Sequence, residues 1–208
     1  MQSLTSHRSR SSLDVALTAV MTAATATATM LISVPFPLTR EYLNLGDVMV
    51  MLSGLLFGAQ VGGFAGGVGS ALSDVLLGYG YFAPLTLIVK GMEGFLTGLI
   101  GNGRRVSLKI TGVTVGAVAM LLGYFLVETV LYGVGPAFAE LSLVNSIQVT
   151  IGAIGSLMLS QAILRTYPDI RFFQRRREGK KATVISIILA VVFLAIIVTV
   201  YLKMGISP

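Results

Sequence analysis

The stretch NLGDVMVMLSGLLFGAQVGGFAGGVGSALSDVLL, Asn44–Leu77, decides the architecture. It is apolar nearly throughout and far longer than the roughly 17–25 residues one transmembrane helix needs. Gln60 and the glycines Gly58, Gly62 and Gly63 mark a tight turn in its middle, so it reads as two short helices. Charge tests that division, because short loops rich in Lys and Arg stay in the cytoplasm. Two spans here put Arg8 and Arg10, then Arg104, Arg105 and Lys109, then the run from Arg165 to Lys181 on one side of the bilayer, which gathers 12 of the 15 basic residues. One span would set the N-terminal tail against the other two clusters.

Outward from this stretch, the apolar runs Val15–Val34, Phe82–Ile100, Leu108–Leu131, Leu141–Leu164 and Ala182–Leu202 bring the count to seven. The expected fold class is an all-α integral membrane protein with the N-terminus cytoplasmic and the C-terminus outside. Residues 1–13 form a cytoplasmic tail, 14–166 a six-helix membrane domain, 167–181 a basic cytoplasmic linker and 182–203 an additional span. The first run has a basic flank and an A-x-A-like sequence at Ala24–Ala26, but it exceeds the apolar core of a signal peptide, roughly 7–15 residues. It is read as a span.

Composition agrees. Hydrophobic residues make up 54% of the chain and charged residues 12%, against about 25% charged in a soluble domain. Lipid can take up that apolar surface, whereas a small soluble core cannot. There is no Cys, and the only His is His7 in the tail. Thiolate chemistry, a His-based metal site and Ser-His catalysis within the membrane are therefore excluded, and no enzyme activity, cofactor or metal is expected. The net charge of +6 does not point to nucleic acid, because the basic groups sit where topology puts them and no aromatic-basic patch suits base stacking. The basic linker suits anionic lipid headgroups, or serves topology alone.

Ionisable groups inside a span cost about 2.5–3.5 kcal/mol at its centre, so they persist when paired or facing a cavity. Asp74, Lys90, Glu93 and Glu128 are such groups. Lys90 and Glu93, at i and i+3, can neutralise each other within one helix. All four fall in the outer half of their spans. Tyr124 lies one turn below Glu128, and Asn145 and Gln148 share a face in the outer half of the sixth span. Arg40 and Asn44 lie in the first outer loop, and Tyr79 and Tyr81 in the next, where tyrosines serve as bilayer anchors or as ligand contacts. The inner half holds little polarity beyond Ser and Thr. The pattern predicts a polar pocket open to the outside over an apolar floor, not a continuous pore.

The run GFAGGVGSALSDVLLGYGYFAPLTLIVKGMEGFLTGLIG, Gly63–Gly101, resembles the third and fourth helices of substrate-binding (S) components of energy-coupling factor (ECF) vitamin transporters. The glycine-rich span ending at Asp74, the segment Ala83–Gly94, the basic loop that follows and the alanine-rich first helix carry the likeness, which covers about Asp14–Tyr167. It is nearest to the riboflavin, hydroxymethylpyrimidine and pyridoxine-like group. The resemblance implies a six-helix S component that captures a small vitamin-like heterocycle, coupled to two ATPase subunits and a coupling subunit. It also implies that Ala19 and Ala23 form a docking face for the coupling subunit, and that the pocket is built from the first outer loop, the loop after the third helix and the outer halves of the fourth to sixth. The seventh span departs from the family pattern. The chain has no G-x-x-x-x-G-K-[ST] loop, so ATP would act on a partner. A solitary carrier or channel, or a non-transport protein using the same fold, is the competing reading. The first would need a polar path through the inner half.

Overall fold

The computed structural model describes residues 2–36, 41–103, 105–168 and 170. Arg40, the linker from residue 171 onward and the seventh span lie outside the described residues. Within them the chain forms α1 (Gln2–Leu31), strands β1 (Ser33–Phe36) and β2 (Glu41–Asn44), then α2 (Gly46–Phe57), α3 (Ala59–Leu77), α4 (Ala83–Gly101), α5 (Val106–Tyr132), α6 (Val134–Glu140) and α7 (Ser146–Thr166). A π-helical turn, Leu141–Asn145, joins α6 to α7 without a break. The membrane-protein fold class holds. Four helical stretches, Ser12–Leu31, Ala83–Gly101, Val106–Tyr132 and Val134–Thr166, are long and apolar enough to cross a bilayer.

The division of Asn44–Leu77 falls at Gly58, whose φ of +93° suits glycine. α2 and α3 fold back on each other across that single residue. With 12 residues, α2 is about 18 Å long, short of the ~30 Å hydrocarbon core. It needs no full span because protein surrounds it. It packs against α1, α3, α4 and α7, and nine of its 12 residues are buried. α3 lies between α1 and α4, α4 between α3 and α5, and α7 closes the bundle against α2 and α5.

Glycines bring α2, α3 and α4 into backbone contact. A Cβ on Gly54 would stand 2.6 Å from the Gly94 carbonyl oxygen, one on Gly62 2.7 Å from the Gly54 Cα, and one on Gly98 2.5 Å from the Gly58 carbonyl carbon. Small residues permit this approach, which gains dispersion contacts where lipid offers no hydrophobic drive between helices. Under the outer layer of polar groups, Met51, Leu55, Val89, Val113 and Met120 form an apolar core.

Three expectations about helix ends change. The first helix stops at Leu31, and Ser33 and Val34 belong to β1, which pairs antiparallel with β2 in the register Ser33↔Asn44 to Phe36↔Glu41. The sixth span begins at Val134, not Leu141. Pro136 sits in the first turn of α6, where a missing N–H leaves no helical bond unmade. Lys109 lies inside α5 and is 4% exposed, so it is not a loop residue.

α3 ends in a Schellman motif. Tyr79 N–H donates to the Asp74 carbonyl at 2.7 Å and Gly78 N–H to that of Val75 at 3.3 Å, with Gly78 at φ +89°. A Cβ on Gly78 would meet nothing within 4 Å. Gly78→Ala is therefore expected to destabilise by about 1–2 kcal/mol through backbone conformation alone, read as a small fall in melting temperature in detergent. A change as large as that of a core glycine would mean the turn is packed more closely than described.

Candidate functional site

The β1–β2 hairpin, the loop between α3 and α4, and the junction from α5 through the π-helical turn all lie at one end of the bundle. Between them opens a cavity continuous with the exterior. Thr29 near the end of α1, Tyr42 and Asn44 of β2, Ser70 and Asp74 of α3, and Tyr79 and Phe82 of the loop form one side. Thr86 and Lys90 of α4, Tyr124 of α5, Asn145 and Gln148 form the other.

The floor on the α4 side is a charged network. The Lys90 ammonium contacts the Asp47 carboxylate, donating to its Oδ1, and lies 3.1 Å from Glu93 Oε2. It also stands 5.5 Å from the centroid of the Tyr124 ring. Gln148 Nε2 donates to both Asp47 oxygens, at 3.2 and 3.3 Å. Gln148 Oε1 accepts from the Asn44 backbone N–H at 3.0 Å and side-chain Nδ2 at 3.1 Å. Asn44 Oδ1 in turn accepts the Gly46 N–H at 2.9 Å. The chain of contacts runs from β2 through α7 and α2 to α4. Charges removed from water are tolerated only when paired with good geometry and further hydrogen bonds, and here two carboxylates flank one amine while an amide donates to one of them.

On the α3 side, the Tyr42 hydroxyl donates to Asp74 Oδ1 at 2.7 Å. The Tyr42 and Tyr79 ring centroids are 4.9 Å apart. Asp74 Oδ2 has no hydrogen-bond partner among the described residues, although the Thr86 hydroxyl stands near the carboxylate. Thr86 itself accepts from the Tyr124 hydroxyl at 3.3 Å. Behind the far wall, Asn145 Nδ2 donates to Glu128 Oε1 at 3.1 Å.

Of the residues singled out in the sequence, Asn44, Asp74, Tyr79, Lys90, Tyr124, Asn145 and Gln148 line this cavity. Glu93 and Glu128 are fully buried one layer behind it, touching Lys90 and Asn145. Tyr81 is 53% exposed, edge-on to Phe82 at 5.0 Å and outside the cavity, the position of an interfacial anchor. Arg40 lies outside the described residues. The local Lys90–Glu93 pair exists, but it is not self-sufficient, since Lys90 also reaches Asp47 on another helix. Asp47 and Tyr42 were missed. Three residues beyond Asn44, Asp47 reads as an ordinary first-turn acid at the lipid interface. The signal that could have found it is a carboxylate heading a helix apolar on every face, which belongs to a buried helix.

The sequence model of the ECF-type riboflavin transporter S component family matches residues 9–165. The thiamine precursor transporter HmpT of Lactococcus lactis subsp. cremoris is 32% identical over 151 residues, 72% of this chain and 87% of HmpT. An uncharacterized protein in the gap 3' region of Pyrococcus woesei is 50% identical over 113 residues, 54% of this chain and 76% of that protein. A solved S component of a bacterial ECF transporter aligns with 80% of this chain and 99% of its own length, at a TM-score of 0.49 and 17% identity. With a family match that takes in the helices, the hairpin and every described residue of the cavity, the chain is a multi-pass membrane protein, not an enzyme, and belongs to the ECF-type riboflavin transporter S component family.

Proposed function

We propose that the chain is the substrate-capture subunit of an ATP-driven uptake transporter for a vitamin or vitamin precursor, a small heterocycle. The observation that carries this reading is a cavity with charged and aromatic walls, open at one end of an apolar bundle and floored by the core under Lys90. Such a site holds a ligand without offering it a way through. The buried polar groups of the opposite half are hydroxyls such as Ser53, Thr97, Ser156 and Ser160, until Lys109 near the far end. A polar conduit would need lining at both depths. The likeness to a thiamine precursor transporter supports a vitamin-type cargo.

The mouth faces outward in this reading, because Arg105, Lys109 and Arg165 lie at the other end, which the positive-inside rule assigns to the cytoplasm. The N-terminus is then cytoplasmic and, with the seventh span, the C-terminus is outside. Energy comes from two separate ATPase subunits through a coupling subunit. Ala19 and Ala23, both exposed on α1, offer that subunit a face of small side chains. The proposed ligand contacts are Asn44, Asp74, Tyr79, Lys90, Tyr124, Asn145 and Gln148, with Glu93 and Glu128 supporting them from behind; Arg40 and Tyr81, of the two outer loops, are proposed on the sequence pattern alone.

Purified protein is expected to bind one member of a panel of vitamins and their heterocyclic precursors with sub-micromolar affinity in the absence of ATP, measured by calorimetry. Folded protein that binds none of them would sink the proposal. Uptake into vesicles holding this chain alone would favour a solitary carrier.

A further inference from the structure

The cover over α2 is incomplete on one side. Nine of its residues are buried, and the other three, Val48, Met49 and Phe57, are apolar and only half-buried. All three lie on the α7 side. A Cβ on Gly155 would stand 3.1 Å from Val48 Cγ2, and Met49 and Phe57 flank a small apolar cluster of Leu52, Leu56 and Leu164, separate from the central core. α1 packs on α2 as well, but α1 and α7 do not pack on each other among the described residues. They leave a groove between them with α2 as its floor. Leu159, one turn beyond Gly155 on the same face of α7, is 42% exposed at its edge.

The chain itself heads for this groove. Beyond α7 it turns at Tyr167, where Ile170 N–H donates to the Tyr167 carbonyl at 3.2 Å. That turn lays Ile170 on the Leu52, Leu56 and Leu164 cluster, so the chain leaves the bundle over α2. Eleven residues, 171–181, then precede Ala182, and six of them are Arg or Lys, which favours the headgroup layer. A random coil of that length has a root-mean-square reach of about 18 Å, under two helix widths. The run Ala182–Leu202 has no Asp, Glu, Lys, Arg or His. Its small residues Ala182, Ser186 and Ala190 recur at every fourth position and share one face of a helix, in the half nearest the linker. Phe57 and Leu159 belong to that same half of the bundle. Large side chains set against a small-residue face let helices approach closely, and such packing drives helix association in lipid.

We propose that the seventh span, Ala182–Leu202, seats in the groove between α1 and α7, antiparallel to α2, with Ala182, Ser186 and Ala190 against Phe57 and Leu159. The short helix α2 is then enclosed by protein on every side, and the approach to α1 from the α7 side is narrowed. The span is an integral seventh member of the bundle, not a free anchor. This goes beyond the capture role and does not depend on it.

The test uses the full chain in membranes. The sequence has no Cys, so a pair of introduced cysteines reports proximity without background. Leu159→Cys and Ala190→Cys are joined by a short bis-maleimide, which tolerates more variation in spacing than a disulfide does. Cleavage at a protease site placed within residues 171–181 then leaves the two halves as one band only where they are linked. The control pairs Ala190→Cys with Val118→Cys on α5, which is 49% exposed. L159C/A190C is expected to give at least about ten-fold more linked product than V118C/A190C, because a tethered segment is concentrated at its own seat. Adding Ser186→Leu, which overfills the small-residue face, is expected to lower the L159C/A190C product several-fold. If L159C does not fold, as judged by its size-exclusion profile, Met49→Cys takes its place. Equal products from the two pairs, no linked product from either, or an S186L variant that links as well as its parent overturns the proposal. So do links formed only between chains, which would make the groove an interface between two copies.

Discussion

Replacing Lys90 with methionine is expected to cost about 3–5 kcal/mol of stability, the usual penalty for removing one partner of a buried ion pair. The variant keeps an unbranched side chain one atom shorter but leaves Asp47 and Glu93, both 0% exposed, without their shared counter-charge. Thermal unfolding in detergent should show a large fall in melting temperature. The diagnostic result is the rescue. Adding Asp47→Asn and Glu93→Gln to K90M removes the stranded charges and should restore most of the loss, because groups in one network couple strongly. Restoration by E93Q alone would mean that the local i, i+3 pair dominates and that the contact with Asp47 contributes little. A small effect of K90M would contradict the network.

A second large effect is expected at the glycine seam. A Cβ on Gly98 would stand 2.5–2.7 Å from the carbonyl group of Gly58 and the nitrogen of Ala59, all backbone atoms of the turn between α2 and α3. That turn cannot yield without moving two helices. Gly98→Ala is expected to cost about 3 kcal/mol, the upper end for overpacking, and Gly98→Leu to give no recoverable monodisperse protein. Gly91→Ala is the control. On the same helix, its Cβ would come no nearer than 3.4 Å to the Gly63 carbonyl oxygen, and size-exclusion profile and melting temperature should change little. Equal tolerance at the two positions would refute the close approach of α4 to the α2–α3 turn.

Much of this fold was legible in the sequence because lipid imposes simple rules. Apolar run length located the helices, and the basic residues fixed the parity that split Asn44–Leu77. The turn at Gly58 was legible because Gly58, Gln60, Gly62 and Gly63 interrupt an otherwise apolar run. The hairpin was not. Val34 and Phe36 are as apolar as the helix before them, and the segment between the strands holds no Asn-Gly or Asp-Gly to announce a two-residue turn. Depth along a helix was enough to collect most of the cavity residues, since an unmatched polar side chain in a span has few places to go. Partner choice was beyond such reasoning. Glu93 is three residues from Lys90 and visible as a pair, whereas Asp47 lies 43 residues away and meets Lys90 only once α2 and α4 have packed.

The π-helical turn at Leu141–Asn145 bears on how relatives should be aligned. A π turn accommodates one residue more than an α-helix would in the same rise, and such turns are frequent at functional sites. Without that residue the helix would run on in plain α register, and everything before it would turn by about 100° relative to α7. Asn145 and Gln148 would keep their places on α7, while Glu140, now fully buried, would rotate off its present face. A homologue one residue shorter between Glu140 and Ser146 thus differs by a twist in its helix rather than by a trimmed loop. An alignment that moves that gap into the connection around Gly133 would match the wrong faces of the helix from Val134 to Glu140, the buried Glu140 among them.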